Sequence, residues 1–366
     1  FIKASMDIRL RLPEGSIPMA HKTYGIDFGT GTVKVYKKSE GIILNERTVV
    51  ATVGKGAAQR PVAIGDKAYE MFEKVPPNIK VSFPLENGVI SQMGDMISLW
   101  NFMLEKISGR RKAKNADFYI AVPADIREVD KNAYSRVVSE SECKPHKVFL
   151  IHKPVADALG LDLDVENARG IMIVNVGAET TEISVLSLGG IVVSKLLPYG
   201  GNYFDEQIIN YIRKEYNFVI GRKSAEQIKK TLVSAVPVDE KVTVVGRNVV
   251  KGLPGEVTVA SSEIFPLVQG VFLSISAAVR SMLERTPPEI ASEIAERGIY
   301  LTGGSSWIRG MDQLVANETR YKINTTKHAQ RTVVTGLGYL AEHPKLAARY
   351  SLSLIHISEP TRQEAI

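Results

Sequence analysis

The sequence predicts an α/β protein built from two similar domains, and three observations predict it. Strand-like runs alternate with helix-like runs along most of the chain, which is the α/β pattern. One supersecondary unit occurs twice, as GIDFGTGTVKV at residues 25–35 and IVNVGAETTEISV at residues 173–185. The length, 366 residues, is too great for one small core and suits two domains of ordinary size.

The strand-like runs are dense in β-branched residues. In order they are Tyr24–Phe28, Val33–Tyr36, Gly41–Leu44, Thr48–Val53, Phe118–Val122, Val148–Ile151, Gly170–Val176, Glu182–Leu186, Ile191–Leu197, Val242–Val245 and Ile299–Thr302. Helix-like runs lie between them: Asp95–Ile107, Ile126–Ser139, Pro154–Leu161, Tyr203–Tyr216, Ser224–Val233, Glu263–Glu284, Pro288–Ala295 and Met311–Glu318. Pro154 and Pro287–Pro288 suit helix first turns, where a missing N–H is harmless. Each copy of the repeat has the form apolar, Asp or Asn, apolar, Gly, two residues, Thr, and continues into alternating strand residues. Two copies of one unit imply two similar domains.

Apolar residues make up 44% and charged residues 23%, a globular composition. The net charge of +6 is too mild to argue for nucleic acid. Cys143 is the single cysteine, so no internal disulfide can form, as expected of a thiol in a reducing compartment. Phe1–Leu12 has no apolar core of a signal peptide. The most apolar stretch, Ile264–Val279, is shorter than the ~20 residues a membrane span needs and reads as a buried helix. Both ends look foreign: 1–18 reads as a non-native leader, and the tail from about Ser351, SLSLIHISEPTRQEAI, lacks helix or strand periodicity.

A strand that enters a tight glycine turn presents a concave row of backbone N–H groups, which binds phosphate oxygens. Glycine permits close approach of the backbone to a ligand, and threonines add hydroxyl donors. Asp27–Thr32 and Asn175–Thr180 both fit. A single copy is more often an ordinary hairpin turn; the repeat argues for a pair of phosphate loops facing each other across a cleft. The Asp27 carboxylate would face the phosphates and hold Mg²⁺ through the ion's waters. A third element, LTGGSS at Leu301–Ser306, is a strand-to-helix turn fit for close approach of a flat ring or a phosphate. A fourth is Ser224–Lys229, in which Glu226 and Lys229 share a helix face, otherwise a solvated charge pair.

With those elements in order, the chain resembles the MreB family, the bacterial actin-like rod-shape-determining proteins. The resemblance runs from about Tyr24 to Pro344 through IDFGTGTVKVY, GIILNERTVVA, IGDKAYEMFEKVPPNI, PLENGVI, VPADIREVDKNA, YGGNYFDEQIINYIRKEY, IGRKSAEQIKK and TPPEIASEIAERGIYLTGGSSWIRGMD. It implies an actin-like ATPase fold: two duplicated ribonuclease-H-like domains around a central nucleotide cleft holding ATP and Mg²⁺. Domain I would span 19–158 with a small insert at about 53–87, and domain II 159–329 with an insert at about 198–260. A helix within 330–345 would return to domain I, leaving a tail of 346–366. The implied nucleotide residues are Asp27, Gly29, Thr30, Gly31 and Thr32 in the first loop and Asn175, Gly177, Ala178, Glu179 and Thr180 in the second. Glu226 and Lys229 would lie near the adenosine, and Gly303, Gly304 and Ser305 against the adenine. The resemblance also implies filaments at the inner membrane face, in the cytoplasm, that guide the wall-elongation machinery.

The departures from the family are informative. The family has Asp at the position of Asn175, Glu at that of Lys153, and glycine at that of Glu179. In the family the Asp orders Mg²⁺ and its waters, and the Glu positions the attacking water. A lysine, with an unperturbed pKa of about 10.4, accepts no proton near neutrality, so a general-base contribution of about 10²–10⁴ in rate should be absent. Lys153 could instead bind the γ-phosphate as a point charge. Thr180, Glu179 and Lys153 are the candidate catalytic positions. Either the site binds ATP and cuts it slowly, or Glu179 serves as a relocated Mg²⁺ or water ligand, or these are drifted positions. The family's apolar membrane pair is absent from the loop SGRRKAKNAD. Arg110, Arg111, Lys112 and Lys114 there could attract anionic lipid at about 1 kcal/mol each, or simply be solvated. Two other functions remain open: a non-polymerising nucleotide-dependent scaffold, and a small-molecule kinase of the same superfamily.

Overall fold

The structure is a computed structural model that describes residues 21–54, 59–109, 113–167 and 169–356. The leader 1–18 and three of the four cationic loop residues, Arg110, Arg111 and Lys112, lie outside the described residues.

Two large sheets share one topology. In domain I an antiparallel meander, Gly41–Arg47, Thr32–Lys37 and Thr23–Phe28, continues into the parallel strands Asp117–Val122 and Lys147–His152. In domain II the meander Gly190–Leu197, Thr181–Ser187 and Ile171–Val176 continues into Ile299–Thr302 and Ile323–Thr325, again parallel. The central strands Thr23–Phe28 and Ile171–Val176 are buried along their whole length, as strands covered on both faces must be.

Between the sheets lie the helices Lys153–Gly160 and Thr332–Glu342. They cross at two glycines: a Cβ on Gly160 would lie 1.8 Å from the Thr332 carbonyl oxygen, and one on Gly336 1.7 Å from that of Ala156. The core around this crossing draws Tyr119 and Phe149 from one sheet and Ile171, Ile173 and Leu186 from the other. Leu337 packs against Gly25 and Gly338 against Tyr36, which seats the Thr332–Glu342 helix on the domain I sheet. A second core fills the far side of domain I under Met93–Ser108 and Glu128–Ser139, and a third fills domain II. Cys143 is buried in the second core, where burial pushes its thiol up to about 11.

Each domain carries a small sheet beside the cleft. In domain I it is Arg60–Ile64, Val50–Val53 and Ile79–Ser82, with the short helix Asp66–Met71. In domain II it is Phe218–Val219, Lys241–Asn248 and Pro254–Ala260, with the helix Arg222–Leu232.

Two expectations are corrected. Ser351–His356 is a strand, paired antiparallel with Lys147–His152 on the edge of the domain I sheet; the open sheet edge supplies the backbone partners that its own weak periodicity does not signal. The second correction is of length only: the apolar stretch lies in a 24-residue helix, Ser261–Glu284, long and apolar enough by length and composition to cross a membrane, while the buried-helix reading holds. Here its face of Ile264, Val268, Phe272, Ile275 and Val279 is packed into the domain II core.

Candidate functional site: the interdomain cleft

The two hairpin loops are built alike. Gly29 N–H donates to the Thr32 carbonyl at 3.2 Å, and Gly177 N–H donates to the Thr180 carbonyl at 2.8 Å. The first turn needs a bare α-carbon, since a Cβ on Gly29 would come within 2.7 Å of that oxygen, and the second is tight, at 3.0 Å for Gly177. The loops meet tip to tip, since a Cβ on Gly31 would lie 3.0 Å from the Ala178 methyl. Ser305 closes the second loop from behind by donating to the Gly177 carbonyl at 2.8 Å. Gly303 has φ +84°, and a Cβ on it would lie 2.3 Å from the Val176 carbonyl; only glycine suits that turn.

Around the loops opens a cleft of about 790 Å³. Its walls bring together Asp27, Gly29, Thr30, Gly31, Thr32, Lys153, Asn175, Gly177, Ala178, Thr180, Glu226, Lys229, Gly303, Gly304 and Ser305. Lys34, Arg47, Lys230 and Arg309 join Lys153 and Lys229 as cations, against the carboxylates of Asp27, Asp66 and Glu226. The cleft therefore favours an anion, and its two rows of N–H groups suit phosphate oxygens.

Glu179 does not join this wall. One carboxylate oxygen accepts the Asn87 N–H of domain I at 2.7 Å, and the other accepts the Asn202 amide at 3.2 Å. The expectation that Glu179 serves as a relocated ligand thus meets a side chain already engaged on both oxygens. Glu226 and Lys229 are not paired with each other. Lys229 binds Asp205 at 2.7 Å and the Gly201 carbonyl at 3.1 Å, while Glu226 binds Lys230 at 2.9 Å and the Tyr69 hydroxyl at 3.1 Å.

The two hairpins carry different charges at matching register. Asp27 lies opposite Lys34 in its hairpin and pairs with it at 3.4 Å. Asn175 lies opposite Glu182. Beneath the second loop Lys153, Asp157, Asn175, Glu182 and Ser184 form one packed polar cluster. Asp157 is fully buried; burial pushes its carboxyl up, opposed by hydrogen bonds from Asn175 and Thr302. Glu182 is pushed up to about 7 by burial, opposed by the Lys153 charge and the Ala124 N–H, which donates to it at 2.7 Å.

Sequence reasoning missed Asp157, Glu182, Lys34, Arg47 and Tyr69. For the first two a signal existed: each is an acid set in a buried apolar run, PVADALG and TEISV, and a buried charge demands a partner.

Paired domains of this topology around such a cleft define the actin-like class. The family model described as MreB/Mbl protein matches residues 21–349, and the chain belongs to that family. It is 36% identical over 322 residues to the cell shape-determining protein MreB of Escherichia coli (strain K12), covering 87% of this chain and 92% of that protein. It is 32% identical over 337 residues to the cell shape-determining protein Mbl of Bacillus subtilis (strain 168), covering 92% and 100%. Among solved structures, MreB5 of Spiroplasma citri bound to ADP matches with a TM-score of 0.84 at 30% identity, covering 91% of this chain and 99% of that one. The MamK double helical filament, at 21% identity and a TM-score of 0.72 over 88% of this chain and 98% of that one, shares the fold.

Proposed function

We propose that this chain is a cytoskeletal protein that binds ATP with Mg²⁺ in the cleft, polymerises, helps determine cell shape and hydrolyses ATP slowly. Relatives named for cell shape determination support the biological role. Relatives bound to ADP and AMPPNP support the ligand class. The observation that carries the reading in this chain is the pair of identically closed hairpin loops meeting at Gly31 and Ala178. By the same reading the filaments lie on the cytoplasmic face of the membrane and guide the wall-elongation machinery, with exposed Lys114 in the basic loop facing anionic lipid.

By this reading Asp27 is the carboxylate that would hold Mg²⁺ through the ion's waters. Among the described residues no group of three or more His, Cys, Asp or Glu side chains could hold a metal by itself. That fits an ion delivered with the nucleotide and coordinated chiefly by phosphate and water, where it would neutralise phosphate charge.

Slow hydrolysis follows from the phosphate end of the cleft. Asp27 is paired with Lys34, Asp157 and Glu182 are buried beneath Lys153, and Glu179 is turned away. Among the described residues, each of these carboxylates at the phosphate end is thus paired, buried or turned away from an attacking water, and by this reading Lys153 stands where the family has the acid that positions it. Single-turnover hydrolysis with Mg²⁺ should run at least ~100-fold below that of a relative keeping the Glu; an equal rate would sink the slow-hydrolysis reading. Sedimentation with ATP should pellet filaments, and a persistent monomer holding ATP tightly would overturn polymerisation.

A further inference from the structure

The mouth of the cleft is bridged by side chains that belong to neither phosphate loop. Domain I contributes Arg47, Tyr69 of the helix Asp66–Met71, and Glu73 just beyond it; domain II contributes the helix Arg222–Leu232. The Tyr69 hydroxyl donates to Glu226 Oε2 at 3.1 Å, and Arg47 Nη2 lies 3.6 Å from the same oxygen. The Arg47 guanidinium also covers the Tyr69 ring at 3.8 Å.

Glu73 makes the second bridge. The helix Arg222–Leu232 starts after Gly221 with no side-chain cap of its own, which leaves N–H groups of its first turn without partners. Domain I supplies the cap: Arg222 N–H lies 3.0 Å from both oxygens of Glu73. A carboxylate is favoured there by the helix dipole as well. Gly221 leaves the carboxylate room, because a Cβ there would lie 2.3 Å from Glu73 Oε2 and would displace it. Lys223 adds a third bridge, donating to the Glu70 carbonyl at 3.3 Å.

Arg47, Asp66 and Glu226 also line the cleft. Glu226 therefore faces the ligand space on one side and domain I on the other. Burial raises Glu226, but the Lys230 hydrogen bond and the Arg47 charge outweigh it and hold the carboxyl below its usual range. Burial and then the Glu226 charge push Tyr69 up to about 12, so the tyrosine stays the donor. Widening of the cleft mouth would stretch all three bridges, which span the same gap.

We propose that Arg47, Tyr69 and Glu73 form a clasp that holds the cleft closed over bound nucleotide, so that release of the nucleotide waits on its opening. This inference rests on the nucleotide reading above. Tyr69 and Glu73 act through Glu226 and the helix it stands on, as positioning residues.

The test measures release of a fluorescent N-methylanthraniloyl ATP from the full chain with Mg²⁺, chased by excess ATP. Tyr69→Phe and Glu73→Ala should each speed release about tenfold, equivalent to ~1.4 kcal/mol. Tyr211→Phe, which removes a hydroxyl bonded to Glu263 at 3.1 Å in domain II, should leave release unchanged. Release within twofold of the parent in both clasp variants, from a parent that binds, overturns the clasp alone. Acceleration in Tyr211→Phe equal to that in the clasp variants overturns it too, as a general loosening. A parent that retains no analogue overturns the nucleotide reading, and the clasp with it.

Discussion

Asn175 donates its side-chain amide to the buried carboxylate of Asp157 at 2.6 Å, and the Thr302 hydroxyl donates to the same oxygen at 2.6 Å. The amide at 175 is thus matched to an acid on the neighbouring helix. A carboxylate at 175 would remove a donor and set two acids together. Asn175→Asp should destabilise the fold by about 1–3 kcal/mol at pH 7, read as a lower urea midpoint. The loss should shrink on acidification, as one of the two acids takes up a proton. Asp157→Ala added to it should recover part of the loss. An Asn175→Asp chain as stable as the parent at pH 7 would disprove the match.

Buried Glu182 and half-buried His152 pull stability in opposite directions with pH. Glu182 is raised from 4.5 to about 7 in the fold, so its contribution is full below 4.5 and is lost as pH rises through 7. His152 is lowered from 6.5 to about 4, by burial first and the Lys131 charge second, so its contribution is full above 6.5 and is lost as pH falls through 4. The Glu182 shift corresponds to about 3 kcal/mol, and solvent screening of the half-buried His152 makes its contribution smaller. Between pH 4.5 and 6.5 the two slopes oppose each other. Glu182→Gln should leave stability rising with pH in that window, and His152→Gln should leave it falling. Urea unfolding at several pH values reads both slopes; identical profiles in the two variants would contradict the assignment.

The two tryptophans occupy opposite environments. Trp100 is fully buried in domain I, whereas Trp307 is 54% exposed and lines the cleft. ATP with Mg²⁺ should change the emission of Trp307 alone, and Trp307→Phe should abolish the change. Trp307→Ala should weaken ATP about fivefold or more, as loss of an aromatic surface for a base does. A full nucleotide-dependent signal in Trp307→Phe would assign it elsewhere.

The helix crossing at Gly160 and Gly336 leaves no room for a methyl group. Gly336→Ala would drive a Cβ into the Ala156 carbonyl, and backbone cannot yield as a flexible side chain can. The variant should lose at least ~2 kcal/mol, seen as a lower thermal midpoint. Gly94→Ala, at a helical position with nothing within 4 Å, is the control and should be neutral or slightly stabilising.

Much of the fold was legible because its signals are local. The Pro154 and Pro288 first turns stand at the starts of helices, and the β-branched runs became the central strands. The strands Arg60–Ile64 and Ile79–Ser82 went unread: the first is exposed over Arg60, Pro61 and Val62, and the second alternates over only four residues. Ser351–His356 went unread because its partner, Lys147–His152, lies some two hundred residues earlier in the chain. A strand that borrows its order from an open edge carries little of that order in its own composition.

The sequence by itself determined the duplicated hairpin loops, since a Gly-containing turn between alternating residues is written in neighbours. The resemblance pointed further to Lys153, Asn175 and Glu179 as expected departures from the family. Only the tertiary structure decided what each side chain does there. Glu179 turns from the cleft because Asn87 of the other domain claims it, Glu226 leaves Lys229 for Tyr69, and Asn175 serves Asp157. These partners stand 92, 157 and 18 residues away in the chain. A backbone turn is fixed by its own few dihedrals, but the partner of a charged side chain is fixed by whatever packing brings beside it.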